Sequence, residues 1–289
     1  MDDKEVVDLK IIRFEPNDVR LGRHVVHDAR SRRYAVRAAD PATLRSVRHE
    51  INIPILDQGN VGSCTGHAAV ANMGYEKFWA TAQEFIQPNE ENAQQFAVTI
   101  YSEATRLDPW PGQYLPEDTG SDGLSVAKAL HQRDMIAGYQ HALGINATLT
   151  ALASQPVIVG TVWLSSMYRP GPDGKLTVSG YEDGGHEYCL DELDVENKRV
   201  WLRNSWGTTW GRAGRAWMSW ADLDKLLQNY GDCTVFVPKT APPPQPTPVP
   251  PASGDEKLAA ALRKLLDNRT VPRYLTGPAK DWLKRFDAR

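Results

Sequence analysis

The chain has 289 residues and a formal net charge of −3, and 41% of its residues are hydrophobic, including nine tryptophans. This length suits one domain of about 200 residues with shorter appendages, and this composition supports a large buried core. No stretch approaches the ~18 to 20 consecutive apolar residues of a membrane span, and no long basic patch with interleaved aromatics indicates nucleic-acid binding.

The first 50 residues are expected to form a leader that packs on the main domain or precedes it. Their opening, MDDKEVVDLKII, is acidic and lacks the apolar run of a signal peptide, so we expect a cytoplasmic protein by default. Virion association or non-classical export stays open. Residues 10–50 carry ten basic and five acidic side chains, whereas residues 51–238 carry 12 and 22. Docking of the basic leader onto the acidic main domain is one reading of this contrast.

The main domain, residues 51–237, is predicted to hold helices first and strands second. Residues 65–79, 94–106 and 123–133 have helical patterns, and the β-branched run PVIVGTVWL at 156–164 is typical of a strand. Further strands are predicted in HEYCLDELDV, RVWLRNSW, GRAWMSW and DCTVFV, with turns such as GPDGK between elements. This order predicts an α+β fold with two lobes of different character.

A proline-rich stretch, residues 238–254, separates the main domain from a short tail. The segment PKTAPPPQPTPVPPASG favours an extended, semi-rigid linker. The tail, residues 255–289, is predicted to form a helix whose apolar face includes Leu258, Leu262 and Leu265, followed by a second short helix. A segment this short cannot hold a robust core alone, so the apolar face needs the main domain, another chain or a second copy. A frayed tail is the alternative.

The three cysteines, Cys64, Cys189 and Cys233, are odd in number and far apart. They do not indicate a disulfide framework, and no CxxC or HExxH spacing indicates zinc. A reducing compartment fits this pattern best, and no metal or organic cofactor is implied. Cys189 and Cys233 fall within predicted strands, where we expect them to be small core residues.

Cys64 lies in the segment LDQGNVGSCTGHA, where a predicted helix rich in small residues begins. A free thiol has a pKa of about 8.5, and only the thiolate is a good nucleophile. The N-terminus of a helix carries partial positive charge and unpaired N–H groups, which favour the thiolate. Gly62 allows close approach of the backbone, and the small residues allow the helix to lie deep between two lobes. Cys64 is therefore the candidate nucleophile.

A thiolate also needs a base, and the base needs an orienting group. GGHEYCL supplies His186, and VWLRNSWGTTWG supplies Asn204, whose amide oxygen can accept from the imidazole. Gln58 can donate its side-chain amide to a developing oxyanion, with the backbone N–H of Cys64 as the second donor. His67, one turn after Cys64, is a rival base, but its side chain is expected to lie along the helix rather than across the cleft.

The segments QGNVGSC, GGH and NSWGTTWG, in this order, resemble the papain-like cysteine peptidases over roughly residues 45–237. The resemblance implies a two-lobed papain-like fold with Cys64 on a helical lobe and His186 and Asn204 on a β-rich, barrel-like lobe. Substrate is then expected in the cleft between the lobes. The resemblance also implies that Gln58 is the oxyanion donor.

The same resemblance assigns further residues around the cleft. Trp206 is expected to shield the hydrogen bond made by Asn204, and Trp210 is expected on the leaving-group side. Gly123, in the stretch GSDGL, and Gly185 are the candidates for contact with the substrate backbone.

Three positions depart from the usual pattern of the family. Val61 stands where a cysteine usually forms a disulfide, and Thr65 stands where an aromatic usually follows the nucleophile. These changes resemble the bacterial and phage-type branch, whose leader is part of the folded domain. Glu187 replaces the small residue that commonly follows the histidine, and its carboxylate can stabilise an imidazolium or crowd the cleft.

The sequence therefore predicts a thiol endopeptidase that hydrolyses a peptide or protein substrate through an acyl-enzyme on Cys64, with His186 as the acid/base. Two alternatives from another class stay open. One is a catalytically idle scaffold on a peptidase fold, and the other is a virion or assembly component whose peptidase activity is secondary. Both would act through a protein partner bound to residues 255–289. The intact set of Cys64, His186 and Asn204 argues against an idle site.

Overall fold

The structure, a computed structural model, describes residues 9–239, which all belong to one structural unit. The helices predicted for residues 255–289 and nearly all of the proline-rich linker lie outside the described residues. Between residues 9 and 239, no helix combines the length and the apolar character needed to cross a membrane.

The leader is folded against the main domain from residue 9 onward. Its strands β1 (Leu9–Ile12) and β2 (Val25–Asp28) pair antiparallel, and two short 3₁₀ helices follow at Ala29–Tyr34 and Pro41–Thr43. Leu21 has no exposed surface and joins the core of the sheet lobe. The boundary predicted between leader and main domain stays a prediction.

Four helices surround a core in which small and aliphatic side chains predominate, in the helical lobe. They are α1 (Cys64–Met73), α2 (Glu76–Ala82), α3 (Glu90–Ala104) and α4 (Gly123–Gln132). Every residue of α1 is buried, and a Cβ on Gly66 would lie 2.3 Å from the carbonyl oxygen of Ala97 in α3. The small residues of α1 therefore let the two helices pack at close range.

The single helix predicted over residues 65–79 is in fact two helices, α1 and α2. Gly74 and Tyr75 separate them. A Cβ on Gly74 would lie 2.5 Å from the Ile53 side chain, and Tyr75 forms an isolated β-bridge with Ile51. Packing of the segment that precedes the helix interrupts it here, and local sequence carries no sign of that contact.

The second lobe is built on an antiparallel sheet that has seven strands within the described residues. The strand order is β4-β9-β5-β6-β7-β8, with β3 also beside β6. The strands are β3 (Val47–Arg48), β4 (Gly138–His141), β5 (Val157–Leu164), β6 (Glu182–Asp194), β7 (Arg199–Arg203), β8 (Arg215–Ser219) and β9 (Asp232–Val237). Two helices that the sequence patterns did not predict, α5 (Ile145–Ser154) and α6 (Trp220–Gln228), pack against this sheet.

The two-lobed α+β prediction is confirmed, with one correction. Within residues 9–239 the sheet does not close into a barrel, because β4 and β8 lie at opposite ends of the strand order. The central strand β5 is apolar along nearly its whole length and is buried between β6 and β9. Its register sets Thr161 opposite His186 and Gly160 opposite Glu187. Since side chains alternate along a strand, His186 and Glu187 project from opposite faces of the sheet.

Candidate active site

Cys64 is the first residue of α1 and is fully buried. The carboxylate of Asp118 holds the preceding loop, because it accepts from the backbone N–H of Gly62 at 2.7 Å and from the Tyr101 hydroxyl at 2.5 Å. Ser63 is the N-cap residue, and its side chain makes no capping hydrogen bond to the helix. The unpaired N–H groups of the first turn are therefore available beside the thiol.

His186 and Asn204 are joined directly. The imidazole Nε2 lies 2.7 Å from the Asn204 Oδ1, which also accepts from the backbone N–H of Ser205 at 2.8 Å. Because Oδ1 is an acceptor in both contacts, Nε2 carries the proton of the neutral ring. Nδ1 is then the free base, and it is buried without a hydrogen-bond partner among the described residues. This is the tautomer that a proton acceptor for a thiol requires.

Aromatic rings enclose the imidazole. The Trp206 ring lies 4.9 Å from the His186 ring between centroids, and Trp163 packs edge-on at 4.8 Å. Trp210 packs against Trp206 at 5.8 Å, and its indole Nε1 donates to the carbonyl oxygen of Tyr168 at 3.0 Å. Trp206 is 5% exposed and Trp163 is 0% exposed, so the rings exclude water from the hydrogen bond between imidazole and amide.

Gln58 reaches the site from the loop before α1. The Ser205 hydroxyl donates to its Oε1 at 2.8 Å, which fixes the other end of the amide as the donor. That donor, Nε2, contacts the carbonyl oxygens of Val61 at 2.7 Å and of Arg20 at 3.0 Å. The side-chain amide therefore points into the cleft and is occupied there by a backbone oxygen of the leader.

A leader segment, residues 20–24, runs through the cleft. The backbone N–H of Arg23 donates to the Gly185 carbonyl oxygen at 3.0 Å, and the backbone N–H of Ser121 donates to the Gly22 carbonyl oxygen at 2.8 Å. The next leader N–H donates to the Ser121 carbonyl oxygen at 2.7 Å. These contacts form two parallel bridges, one to each lobe. The leader segment thus lies between the lobes as an extra strand.

Of the two predicted backbone-contact glycines, Gly185 lies beside the leader segment and Gly123 does not. Gly123 is buried at the first position of α4, with its Cα facing the side chains of Glu187 and Asp232. In the stretch GSDGL it is Ser121 that makes the backbone contacts. The substrate-binding roles of both glycines stay predictions.

The leader segment is closely packed at Gly22. A Cβ at this position would lie 1.9 Å from the carbonyl oxygen of Gly62, two residues before Cys64. The backbone of Gly22 also lies close enough to the Cys64 thiol to favour its ionised form. Only a glycine fits here without a shift of the backbone.

Burial keeps both candidate reactive groups neutral. It raises the pKa of the Cys64 thiol to about 12, although the backbone of Glu187 and of Gly22 opposes the rise. It lowers the pKa of His186 to about 4, although the hydrogen bond to Asn204 opposes the fall. With the leader in place, the pair is a thiol and a neutral imidazole rather than a thiolate and an imidazolium.

The rival base and the other cysteines lie elsewhere. His67 is fully buried in α1, and its Nδ1 lies 2.9 Å from the Ser63 carbonyl oxygen one turn earlier. This contact directs the ring along the helix. Cys189 and Cys233 are buried in β6 and β9, and burial raises the pKa of both thiols.

Several residues of the site escaped the sequence reasoning. Ser205 stands inside the NSW motif, so its place next to Asn204 was a usable signal. Trp163 ends an apolar strand run, and nothing local distinguishes it from a core tryptophan. Gly22 and Ser121 act through their backbones, and residue type carries little information about such contacts.

The fold resembles solved structures of cysteine proteases. Xylellain, a cysteine protease from Xylella fastidiosa, shares 18% identity, with 78% of this chain and 99% of that chain covered and a TM-score of 0.58. The proform of the ragweed pollen allergen Amb a 11 shares 17% identity over 74% of this chain and 67% of that one, with a TM-score of 0.46. Bromelain from Ananas comosus, in complex with the E64 inhibitor, shares 14% identity over 67% of this chain and 100% of that one, with a TM-score of 0.40.

No protein-family model matches the sequence, and no curated protein matches it. At these identities the likeness concerns the fold alone. The assignment of the fold rests on xylellain, whose TM-score of 0.58 is the highest of the three. The described chain has the two-lobed fold of the papain-like cysteine proteases.

Proposed function

We propose that this chain, which has the papain-like fold, is a cysteine peptidase that hydrolyses peptide bonds through Cys64. The observation that carries the proposal is the 2.7 Å contact between His186 Nε2 and Asn204 Oδ1, which leaves the buried Nδ1 as the base. The lobe that bears this pair packs on the helix that begins at Cys64. We assign Gln58 as the oxyanion donor and Trp206 as the ring that shields the imidazole.

The proposed reaction has two steps. The Cys64 sulfur attacks the substrate carbonyl carbon while Nδ1 of His186 accepts the thiol proton. The imidazolium then returns this proton to the leaving amine as the C–N bond breaks, which leaves a thioester on Cys64. Water attacks the thioester, its proton passes to Nδ1, and the C–S bond breaks as the thiol is restored. Gln58 donates to the carbonyl oxygen as it becomes an oxyanion in each step.

The leader segment must leave the cleft before this reaction can occur. It occupies the Gln58 amide and the backbone groups of Gly185 and Ser121, and its Gly22 backbone lies beside the buried thiol. We therefore propose that the described state is a resting state. An idle scaffold is the alternative, and the covered cleft with its neutral thiol and imidazole is the observation that favours it.

Peptide cleavage by the full chain tests the proposal. The unaltered chain and its Gly22→Ala variant, chosen to displace the leader, are incubated with a library of peptides, and new termini are identified by mass spectrometry. We expect cleavage that increases in Gly22→Ala and disappears when Cys64→Ala is added. If iodoacetamide reaches Cys64 readily in Gly22→Ala but no peptide is cleaved, the peptidase proposal is wrong and the scaffold alternative holds.

A further inference from the structure

The side chain of Arg23 leaves the cleft and enters a pocket of the main domain. Arg23 is 0% exposed although it lies in the leader segment. Its guanidinium Nη2 forms an ion pair with the carboxylate of Asp232 and donates to the carbonyl oxygen of Tyr230 at 2.8 Å. Burial of a guanidinium is costly unless it is paired, so this pocket has the groups to bind one.

Two glycines and two acids form the pocket. A Cβ on Gly160 would lie 2.5 Å from both Nε of Arg23 and Oε2 of Glu187. A Cβ on Gly123 would lie 2.8 Å from Glu187 Oε1 and 3.3 Å from Asp232 Oδ1. The missing side chains therefore make the space that the guanidinium and the Glu187 carboxyl share. We call Gly123, Gly160, Glu187 and Asp232 the acid pocket.

The contacts of the Glu187 carboxyl do not explain why this acid is buried. Both carboxyl oxygens are buried and lack a hydrogen-bond partner among residues 9–239, and so do Nε and Nη1 of Arg23. Burial raises the pKa of Glu187 well above its ordinary value, Asp232 adds to the rise, and Arg23 is the cation that opposes it. A buried carboxyl without a hydrogen-bond partner is destabilising, so its presence points to a cationic ligand that approaches Glu187 more closely than Arg23 does.

Two residues of the acid pocket also line a neighbouring cavity. Asp232 and Gly123 line a cavity of about 420 Å³ whose other wall is made by leader residues that include His27 and Arg32.

The position of the pocket along the cleft follows from the leader segment. Arg20 packs over the Trp206 ring at 4.3 Å, Gly22 lies at the thiol, and Arg23 enters the acid pocket. Trp206 covers the imidazole that protonates the leaving amine, so the acid pocket lies on the opposite, acyl side of the thiol. The acyl side of a peptide is N-terminal to the cleaved bond, so a substrate runs through the cleft in the direction opposite to the leader. A substrate residue in the pocket is thus the one that precedes the residue whose carbonyl is attacked.

We propose that the acid pocket selects substrates with arginine at the second residue before the cleaved bond. In the resting state Arg23 occupies the pocket in place of that substrate arginine. This inference rests on the proposed peptidase function and names its substrate class. When the leader leaves, Asp232 loses its ion-pair partner and Glu187 loses the nearby positive charge, and an incoming guanidinium replaces both.

Arginine fits this pocket better than lysine. The guanidinium is planar and presents five N–H donors, so one edge can pair with Asp232 and the Tyr230 carbonyl oxygen while the other faces Glu187. A lysine ammonium is a compact charge and cannot reach both acids with one geometry. We expect arginine to be preferred over lysine, and both over the neutral citrulline.

Labelling of Cys64 tests the pocket without requiring turnover. The probes are short peptides that end in a vinyl sulfone, with glycine next to it and arginine, lysine or citrulline before the glycine. The full chain with Gly22→Ala is labelled with each probe, and the rate is followed by intact mass. We expect arginine to exceed citrulline by about 10- to 100-fold, since a buried polar site rejects a ligand that leaves it unpaired.

Variants then attribute the preference to the two acids. Glu187→Gln and Asp232→Asn should each reduce the ratio of the arginine rate to the citrulline rate by at least about tenfold. Glu196→Gln removes an acid from the exposed turn between β6 and β7 and should leave the ratio unchanged. Circular dichroism and thermal unfolding verify that each variant folds, and the ratio within one variant cancels any general change in thiol reactivity.

The outcomes separate the pocket from the peptidase. If arginine and citrulline probes label Cys64 at equal rates while library peptides are cleaved, the proposed arginine selectivity is wrong and the proposed peptidase function is retained. An arginine preference that Glu187→Gln or Asp232→Asn abolishes supports the pocket even if no peptide is hydrolysed. An arginine preference that survives both substitutions would also overturn it, because the selectivity would then lie elsewhere.

Discussion

The side-chain amide of Gln58 donates a hydrogen bond of 3.0 Å to the backbone carbonyl oxygen of Arg20. In the proposed reaction the same amide donates to the oxyanion, so the leader and the transition state compete for one donor. Ser205 holds that donor in place from the other lobe. The cleft is therefore assembled in the resting state and covered rather than disordered.

Gly22→Ala should uncover Cys64. The added methyl would lie 1.9 Å from the Gly62 carbonyl oxygen. Gly22 cannot move without disturbing the bridges to Ser121 and Gly185, and the Gly62 backbone is held by its hydrogen bond to Asp118. We expect iodoacetamide to modify Cys64 at least about tenfold faster in the variant, as followed by peptide mass spectrometry. Buried Cys189 and Cys233 serve as internal references in the same sample.

The matched control for this substitution is Gly171→Ala. Gly171 makes no contact with the leader segment in the structure, and a Cβ there would meet the flexible Asp173 side chain at 3.0 Å. Its Cys64 rate should equal that of the unaltered chain. If Gly22→Ala and Gly171→Ala give the same slow rate, the leader does not control access to the thiol.

The pH profile of this alkylation should change once the leader is displaced. Burial holds the pKa of Cys64 at about 12 and that of His186 at about 4, so the covered pair stays neutral across that range. Water admitted to the cleft removes much of the desolvation, and the helix N-terminus and imidazole then favour the thiolate. We expect rapid alkylation of Gly22→Ala well below pH 8, and its loss on adding His186→Ala. An ordinary thiol profile that ignores His186 would contradict the thiolate–imidazolium pair.

Gln58 and Ser205 should affect turnover to different degrees. Loss of an oxyanion donor typically lowers kcat by about 10²- to 10³-fold, and we expect this of Gln58→Ala in the Gly22→Ala background. Ser205→Ala removes only the bond that orients the amide, so its effect on kcat should be smaller, about tenfold. Both variants should keep the alkylation rate of Cys64, because the thiol and imidazole are untouched. Equal kcat in Gln58→Ala and its parent would exclude Gln58 as the donor.

The residues that we propose to act through their side chains could be singled out from the sequence. Cys64, His186, Asn204, Gln58 and Trp206 stand in compact motifs, and the structure brings them together around one cleft. Each motif is local, so its residue types and order are visible without knowledge of the fold. Their roles are what the proposed experiments test.

The leader residues that occupy the cleft could not be predicted from sequence in the same way. The stretch that contains Gly22 and Arg23 has neither helical nor strand periodicity, and it pairs with Gly185 and Ser121, which are far away in sequence. The sequence marks Glu187 as an unusual residue beside the histidine, but strand alternation turns its carboxyl to the opposite face, toward Arg23. The break between α1 and α2 likewise depends on a contact with Ile53.

Acid should weaken the attachment of the leader through His24. Its Nε2 lies 2.7 Å from the Thr119 carbonyl oxygen, and its Nδ1 accepts from the backbone N–H of Phe14 at 3.2 Å. The contact with Phe14 needs the neutral ring, because a proton on Nδ1 would face the Phe14 N–H, whereas Nε2 can donate to Thr119 in either form. Burial lowers the pKa of His24 to about 4, and the nearby charges of Arg13 and Arg23 lower it further.

The sign of the effect follows from proton binding in the two states. Between pH 6.5 and about 4 the unfolded chain binds a proton at His24 that the folded chain does not, so stability falls as the pH falls through this window. Between pH 7 and pH 5 the loss amounts to about 2 kcal/mol in the free energy of unfolding. His27, His141 and His186 have lowered pKa values too, whereas burial raises the pKa of Asp108 to about 7 and acts in the opposite direction.

A comparison of variants isolates His24 from these other groups. Urea unfolding at pH 7 and pH 5 should show a smaller pH-dependent loss for His24→Asn than for the unaltered chain, by about 2 kcal/mol. His131→Asn makes the same change at an exposed histidine and should keep the full loss. If His24→Asn and the unaltered chain lose the same unfolding free energy between pH 7 and pH 5, protonation of His24 does not cause the loss. The urea concentration at which Cys64 becomes accessible should also fall between pH 7 and pH 5. We expect this fall to be smaller in His24→Asn than in the unaltered chain.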